Sequence, residues 1–225
     1  MIEILSHIAM LATLNVAQIC PATRALGPGK RFVIWVQGCP FNCLGCIAPD
    51  WIPIKLANLI SVEQMAERIL DVTDLEGITL SGGEPMLQAG ALSELIHLLR
   101  ASKDSLSAIA FSGFTLEQLR KKRAKDRAID QLLSQLDVLI DGLYIGDLNV
   151  GKGLRGSRNQ RVHFLSDRYV ELREEFENGP RHIELHVSES ELLLTGIPTA
   201  ESLKAFQLAV EQLRGRIEQG WARGS

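Results

Sequence analysis

The sequence predicts an α/β protein built around a mostly parallel sheet. Three observations predict it. Short β-branched or apolar runs alternate with amphipathic stretches, several of the runs stop at glycine, and 225 residues with 46% hydrophobic and 23% charged content suffice for a sizeable core. At about 150 residues per domain, this length allows one domain with an extension or two small ones. A net charge of −3 carries no polyanion-binding signature, so nucleic acid is not expected as a partner. No apolar stretch approaches the ~18 residues that span a bilayer, so no membrane partner is expected either. Met1 to Cys20 is moderately apolar but carries Glu3 and no basic leader, and does not read as a secretory signal.

The elements follow in order. Phe32 to Gln37 (FVIWVQ) reads as a strand ended by Gly38. Ser61 caps a helix running to Asp71, with Met65, Ile69 and Leu70 at helical spacing. Gly77 to Ser81 is a second strand, closed by Gly82-Gly83, and Ala91 to Arg100 a helix whose Leu92, Leu95, Ile96 and Leu99 read as core. Ala108 to Phe111 is a third strand, followed by Gly113 and a helix from Thr115. Leu136 to Ile140 is a fourth, ended by Asp141-Gly142. Gly146 to Gln160 reads as an ordered loop. Beyond Ser166 come a polar helix (Asp167 to Glu175), alternating segments at His182 to Val187 and Glu191 to Leu194, and a final helix from about Thr199 to Gln219. Asn178-Gly179-Pro180 marks a boundary within this part.

The chemistry concentrates in Cys39-Pro-Phe-Asn-Cys43-Leu-Gly-Cys46, three thiols in a loop directly after a strand. Thiols this close suit a soft metal or an iron–sulfur cluster, in a compartment reducing enough to keep them free. A structural zinc site closes with four ligands, and an electron-carrier cluster fills all four irons with cysteine. The remaining cysteine, Cys20, lies well upstream and reads as a small buried hydrophobe. One iron of a four-iron cluster is then left open. Two alternatives stand beside this reading: a disulfide between two of the three, and zinc held by three Cys and a His.

A second signal is Leu80-Ser81-Gly82-Gly83-Glu84-Pro85 at the end of a strand. Two glycines let a ligand approach the backbone, and the Glu84 carboxylate suits an ammonium group. Further on, Leu154 to His163 (LRGSRNQRVH) offers Arg, Ser, Asn and Gln side chains suited to carboxylate and ribose oxygens.

Cys-x3-Cys-x2-Cys after a strand resembles the signature of the radical S-adenosylmethionine (SAM) superfamily. Gly27-Pro-Gly-Lys-Arg31, Trp35-Val-Gln-Gly38, Gly45-Cys46, Ser112-Gly-Phe-Thr115, Val138 to Gly142 and Leu154 to His163 together resemble the activating enzymes of anaerobic (class III) ribonucleotide reductase, over roughly Ala25 to Leu165. The resemblance implies a partial (β/α) barrel with an open side, here with a C-terminal α+β extension. Residues 1–24 form an N-terminal extension, 25–166 the core and 167–225 the C-terminal extension. It implies a 4Fe–4S cluster on Cys39, Cys43 and Cys46, the cysteines thereby being catalytic as well as metal ligands. It places SAM against Gly82, Gly83, Glu84 and Pro85, with Ser112, Asp141, Arg155, Ser157, Asn159 and Gln160 completing the pocket. The alternative for the Arg155 to Gln160 loop is a structural role, fixing the barrel edge.

The implied activity is reductive cleavage of SAM to a 5′-deoxyadenosyl radical that generates a glycyl radical on a partner enzyme. A flavodoxin- or ferredoxin-type donor would supply the electron, in a reducing cytoplasm. Radical modification of a peptide or small molecule is the alternative, the extension then recognising the substrate. A non-enzymatic zinc or cluster scaffold is the second. Many superfamily members carry an aromatic before the third cysteine, where this chain has Gly45, as the activase branch does.

Three weaker signals read as structure. Gly27-Pro-Gly29-Lys30 lacks the spacing of a phosphate loop. His182-Ile-Glu184-Leu-His186 places two His and a Glu on one strand face, expected to be a solvated outer face rather than a metal site. Arg120 to Arg127 holds six of the 24 Lys plus Arg and reads as a solvated helix end, with docking to an acidic, flavodoxin-type donor as its functional alternative.

Overall fold

Residues 12–188 and 192–222 are described in a computed structural model of the chain, side chains of the last helix to Gln212. A seven-stranded sheet runs through it. Its strands are β1 (Thr13–Thr23), β2 (Arg31–Val36), β3 (Asn58–Ser61), β4 (Gly77–Gly82), β5 (Ser107–Ser112), β6 (Val138–Asp141) and β7 (Arg161–Phe164), in spatial order β3-β1-β2-β4-β5-β6-β7. The centre, β2-β4-β5-β6, is parallel. β1, β3 and β7 are antiparallel to the strands they pair with. The fold is thus a mixed α/β sheet with a parallel core, and the four expected strands are that core. The additions are β1 and β3 on one flank and β7 on the other. β1 escapes a pattern search because two register shifts break its alternation, between Val16 and Gln18 and between Cys20 and Thr23. Residues 13–23 therefore share the sheet of the segment that follows them.

Side-chain alternation assigns the two faces. Phe32, Ile34, Val36, Ile78, Leu80, Ala108, Ala110 and Leu139 point to one side. They meet Met65 and Ile69 of α1 (Val62–Leu70), Leu92, Leu95, Ile96 and Leu99 of α2 (Ala89–Ser102), Leu119 of α3 (Leu116–Arg123), and Ile129, Leu132 and Leu133 of α4 (Arg127–Gln135). Capping boxes fix two of these helices. Ser61 Oγ accepts from Gln64 N while Gln64 Oε1 accepts from Ser61 N, and Thr115 and Gln118 repeat the exchange. The basic run divides here: α3 ends at Arg123, and Asp126 caps α4 through Ala128 N.

The opposite face is covered by the C-terminal part. A 3-10 turn (Asp167–Leu172) and α5 (Arg173–Asn178) bring Tyr169 and Phe176 onto Ile109, Val138 and Ile140. A hairpin, β8 (Ile183–Val187) with β9 (Leu192–Gly196), leads to Ile197, packed with Cys20, Leu26, Val33 and Trp35. A last helix, α6 (Ala200–Ala222), follows. No described helix is long and apolar enough to cross a membrane.

The hairpin corrects one expectation. Its polar face is the inner one: Glu184 Oε1 accepts from Arg24 N at 2.9 Å, and His186 Nε2 lies 3.4 Å from Cys20 Sγ. Its apolar face is outward, with Ile183, Leu185 and Val187 all exposed. Strand alternation was legible, but which face turns inward depends on Arg24 and Cys20, far away in sequence. His182 itself is exposed.

At the amino-terminal end of the parallel strands a fully buried arginine replaces an apolar floor. Arg31 Nε donates to Thr79 Oγ1 at 2.7 Å and its Nη1 to Ser107 Oγ at 3.0 Å and to the Pro28 carbonyl at 3.2 Å. Nη2 donates to the Ile78 carbonyl. Burial pushes its pKa down, and among the described residues no carboxylate pairs with it; Glu76 acts through Tyr169, whose hydroxyl donates to Glu76 Oε1 at 2.7 Å. Neutral oxygens surrounding the cation make the site intolerant of truncation. Arg31→Ala is expected to lower unfolding stability in urea by on the order of 3 kcal/mol, from a cavity plus orphaned acceptors. An unchanged midpoint would contradict this.

Candidate functional site

β2 reaches Gly38, whose φ of 95° turns the chain out of the strand. The loop that follows returns across the strand end: Gly38 N donates to Trp51 O and Cys39 N to Ile52 O, both at 2.9 Å. Gln37, beneath, donates through Nε2 to Pro53 O at 2.7 Å. Cys46 N closes a turn onto Cys43 O, and Gly45 within it has a φ of 77°. All three cysteines are free and half-buried. They line one open cavity together with Ser81, Gly82, Gly83, Glu84 and Ser112. The cavity opens at the carboxyl ends of the parallel strands, where ligands of parallel sheets bind.

Close approach explains the paired glycines. A Cβ on Gly83 would fall 2.2 Å from the Gly38 carbonyl oxygen, and one on Gly82 2.4 Å from Val36 N. In that proximity Gly83 N donates to Val36 O at 2.7 Å and Glu84 N to Gly38 O at 2.8 Å, fastening the end of β4 to the root of the cysteine loop. The Glu84 side chain extends the connection to β5. Oε1 accepts from Met86 N and Ser112 Oγ, both at 2.9 Å, and Oε2 from Gly113 N at 2.8 Å. Burial pushes this carboxyl up to about 7, against three donors that favour the carboxylate. So the carboxylate that the sequence offers to an ammonium group is already held by internal donors, while still bordering the cavity. Pro85 opens a short 3-10 turn directly behind it.

The remaining sequence-predicted residues divide. Ser112 and Gln160 line the cysteine cavity; Gln160 also closes its own loop, donating to Gly142 O at 2.7 Å and accepting from Ser157 N. Asp141 and Asn159 border a neighbouring depression instead. Asp141 Oδ2 accepts from Leu116 N at the start of α3 and lies 2.9 Å from His163 Nε2, and Asn159 donates to Leu143 O. Ser157 is buried and accepts from Ile145 N. Arg155 reaches away from the cavity, to Gln160 O and Glu177 O, tying the loop to α5. Among the cavity's lining residues that pattern reasoning did not offer as site residues are Trp35 and Trp51, with ring centroids 5.5 Å apart, Tyr144, and Ile197 from the C-terminal part. Trp35 was readable as every second residue of β2. Trp51, Tyr144 and Ile197 sit in irregular segments without a period.

The donor set fits an iron–sulfur cluster. Zinc at a structural site takes four ligands, and the described residues that line this cavity offer three thiols and no imidazole. Three thiols bordering one cavity suit the separate irons of a cluster. Burial pushes Cys39 up to about 11 and raises Cys46, so both are thiols until iron displaces the proton. Because Gly83 sets the loop's seat, Gly83→Ala is expected to lower iron bound on anaerobic reconstitution severalfold. Gly90→Ala, where the added Cβ would meet only Ala128 Cβ at 3.7 Å, is expected to load as wild type. Equal loading of the two variants would contradict the role given to Gly83.

Comparison with known proteins agrees with this geometry. Residues 25–163 match the 4Fe-4S single cluster domain family. The anaerobic ribonucleoside-triphosphate reductase-activating protein of Vibrio cholerae serotype O1 is 30% identical over 157 residues, 67% of this chain and 97% of that one. Its counterpart in Escherichia coli K12 is 28% identical over 68% of this chain and 99% of its own. The pyruvate formate-lyase-activating enzyme of Staphylococcus epidermidis is 37% identical over 62% of this chain and 55% of its own. The chain belongs to the 4Fe–4S single-cluster domain family, as a radical SAM enzyme of the reductase-activating branch.

Proposed function

We propose that the chain installs a glycyl radical on an anaerobic ribonucleoside-triphosphate reductase of its own cell. The observation that carries this reading is that Cys39, Cys43 and Cys46 line one cavity together with Gly82, Gly83 and Ser112. When bound, the cluster and SAM supply a one-electron cleavage to methionine and a 5′-deoxyadenosyl radical, which takes a hydrogen atom from glycine. The chain's own residues do the positioning. Cys39, Cys43 and Cys46 would hold the cluster through three thiolates, leaving a ligand position open to SAM, and the Gly82-Gly83 backbone would leave room for SAM beside it. Trp35, Trp51 and Ile197 are apolar walls that exclude water from a reactive radical. The barrel-like arrangement is part of this proposal, as are cytoplasmic location and a flavodoxin- or ferredoxin-type electron donor.

One observation favours a second reading. Gly196 and Ile197, which line the cavity, lie beyond the segment matched to the family. A wall from the C-terminal part suits a different substrate, a peptide or small molecule. The test is anaerobic incubation of the reduced, reconstituted protein with SAM and the reductase. The expected result is a glycyl radical signal in electron paramagnetic resonance, with 5′-deoxyadenosine and methionine in equal amounts. Deoxyadenosine without a glycyl radical would overturn the reductase as target and favour the second reading. A colourless zinc protein that leaves SAM intact would overturn both.

A further inference from the structure

We propose that the exposed basic segment of α3 and the α3–α4 turn, with the apolar tip of the cysteine loop, is the docking surface for an acidic one-electron carrier protein. This rests on the cluster assignment above and not on the identity of the radical's target. A continuous line of contacts joins the basic segment to the cluster loop. Lys122 Nζ sits 4.8 Å from the Phe114 ring centroid, and Phe114 packs edge-on against Phe41 at 4.7 Å. Phe41 lies between Cys39 and Cys43 and rests on Gly113, where a Cβ would fall 2.5 Å from its ring.

The charge around this line is unbalanced. Arg120, Lys122, Lys125 and Arg127 are exposed, and among the described residues none of them, nor Arg161 beside them, forms an ion pair. The nearby acids are committed: Glu117 to Lys121 at 2.9 Å, Asp130 to Arg123 at 3.4 Å, Asp126 to the cap of α4, and Asp141 to the start of α3. Asp147 alone adds negative charge on the far rim. A cationic field of this kind steers an acidic partner at long range, in a protein whose net charge is −3.

The short-range part is apolar. Leu44, between two cluster cysteines, is 93% exposed, and Leu143 and Ile145 beside it are 44% exposed each. A small apolar centre with a charged rim matches the weak, transient interfaces of redox encounters, below about 1,200 Å². The carrier gives one electron and is itself oxidised by one; the cluster accepts that electron, and no proton or third reactant is required.

The test compares two reductants on the reconstituted protein by stopped-flow bleaching of the cluster. One is an acidic reduced flavodoxin, the other photoreduced deazaflavin, which needs no docking. For wild type, the flavodoxin rate is expected to fall as salt rises. For Arg120→Glu/Lys122→Glu, it is expected to fall about tenfold or more at low salt. Flavodoxin binding measured by calorimetry should weaken with it, while the deazaflavin rate stays at the wild-type value. Arg120→Lys/Lys122→Arg is expected to restore both. An unchanged flavodoxin rate would overturn the proposal, as would equal slowing with both reductants, which marks damage to the cluster loop. A wild-type protein with no cluster that deazaflavin can reduce would overturn the cluster assignment and this surface with it.

Discussion

The structure turns on one buried carboxylate. Glu84 joins β4 to the end of β5 through Ser112 Oγ and Gly113 N, caps its own 3-10 turn through Met86 N, and its own N–H holds the Gly38 carbonyl at the end of β2. Hydrogen bonds to a charged acceptor contribute about 2 kcal/mol each, enough to offset much of the cost of burying it. Three parallel strand ends are thereby locked at one height. The cysteine loop springs from the first of these ends, the paired glycines occupy the second and Ser112 the third. Separate the ends and the cavity loses its walls together, because the root of the cysteine loop is tied to the neighbouring strand end through the Gly38 carbonyl.

The rest of the architecture serves that junction from both faces. On one side α1, α2, α3 and α4 bury the aliphatic residues of the parallel strands in an ordinary close-packed core. On the other the sheet is not uniformly apolar. Its amino-terminal end holds Arg31 in a cage of oxygens, its middle Val33 and Ile109, and its carboxyl end the tryptophans and thiols of the cavity. Polarity along that face runs from a closed polar floor through an apolar waist to an open reactive mouth. The C-terminal part completes the face: Tyr169 reaches the floor, Phe176 the waist and Ile197 the mouth.

Legibility in the sequence followed range. The four parallel strands were readable because each is a short apolar run between glycine or polar stops, buried on both faces. The helices were readable from 3.6-residue spacing and from Ser61 and Thr115 as caps. The thiols and paired glycines were readable because their chemistry is local. What escaped depends on distant partners. β1 is disguised by its bulges, and the inner face of the hairpin is chosen by Arg24 and Cys20. Asp141, Arg155, Ser157 and Asn159 are polar side chains in a segment rich in glycine, a pattern that suits a ligand pocket and a self-bonded loop equally. Their partners within the chain, Leu116 N, Glu177 O, Ile145 N and Leu143 O, are not readable from the local pattern.

The central claim is that three cysteines, and among the described residues no fourth, face the cavity proposed to take the cluster and SAM. Mössbauer spectroscopy of the ⁵⁷Fe-reconstituted protein, before and after addition of SAM, tests it directly. One iron site of a four-iron cluster should change its isomer shift when SAM is added while the other three keep theirs. A spectrum with all four sites alike and indifferent to SAM would contradict the account.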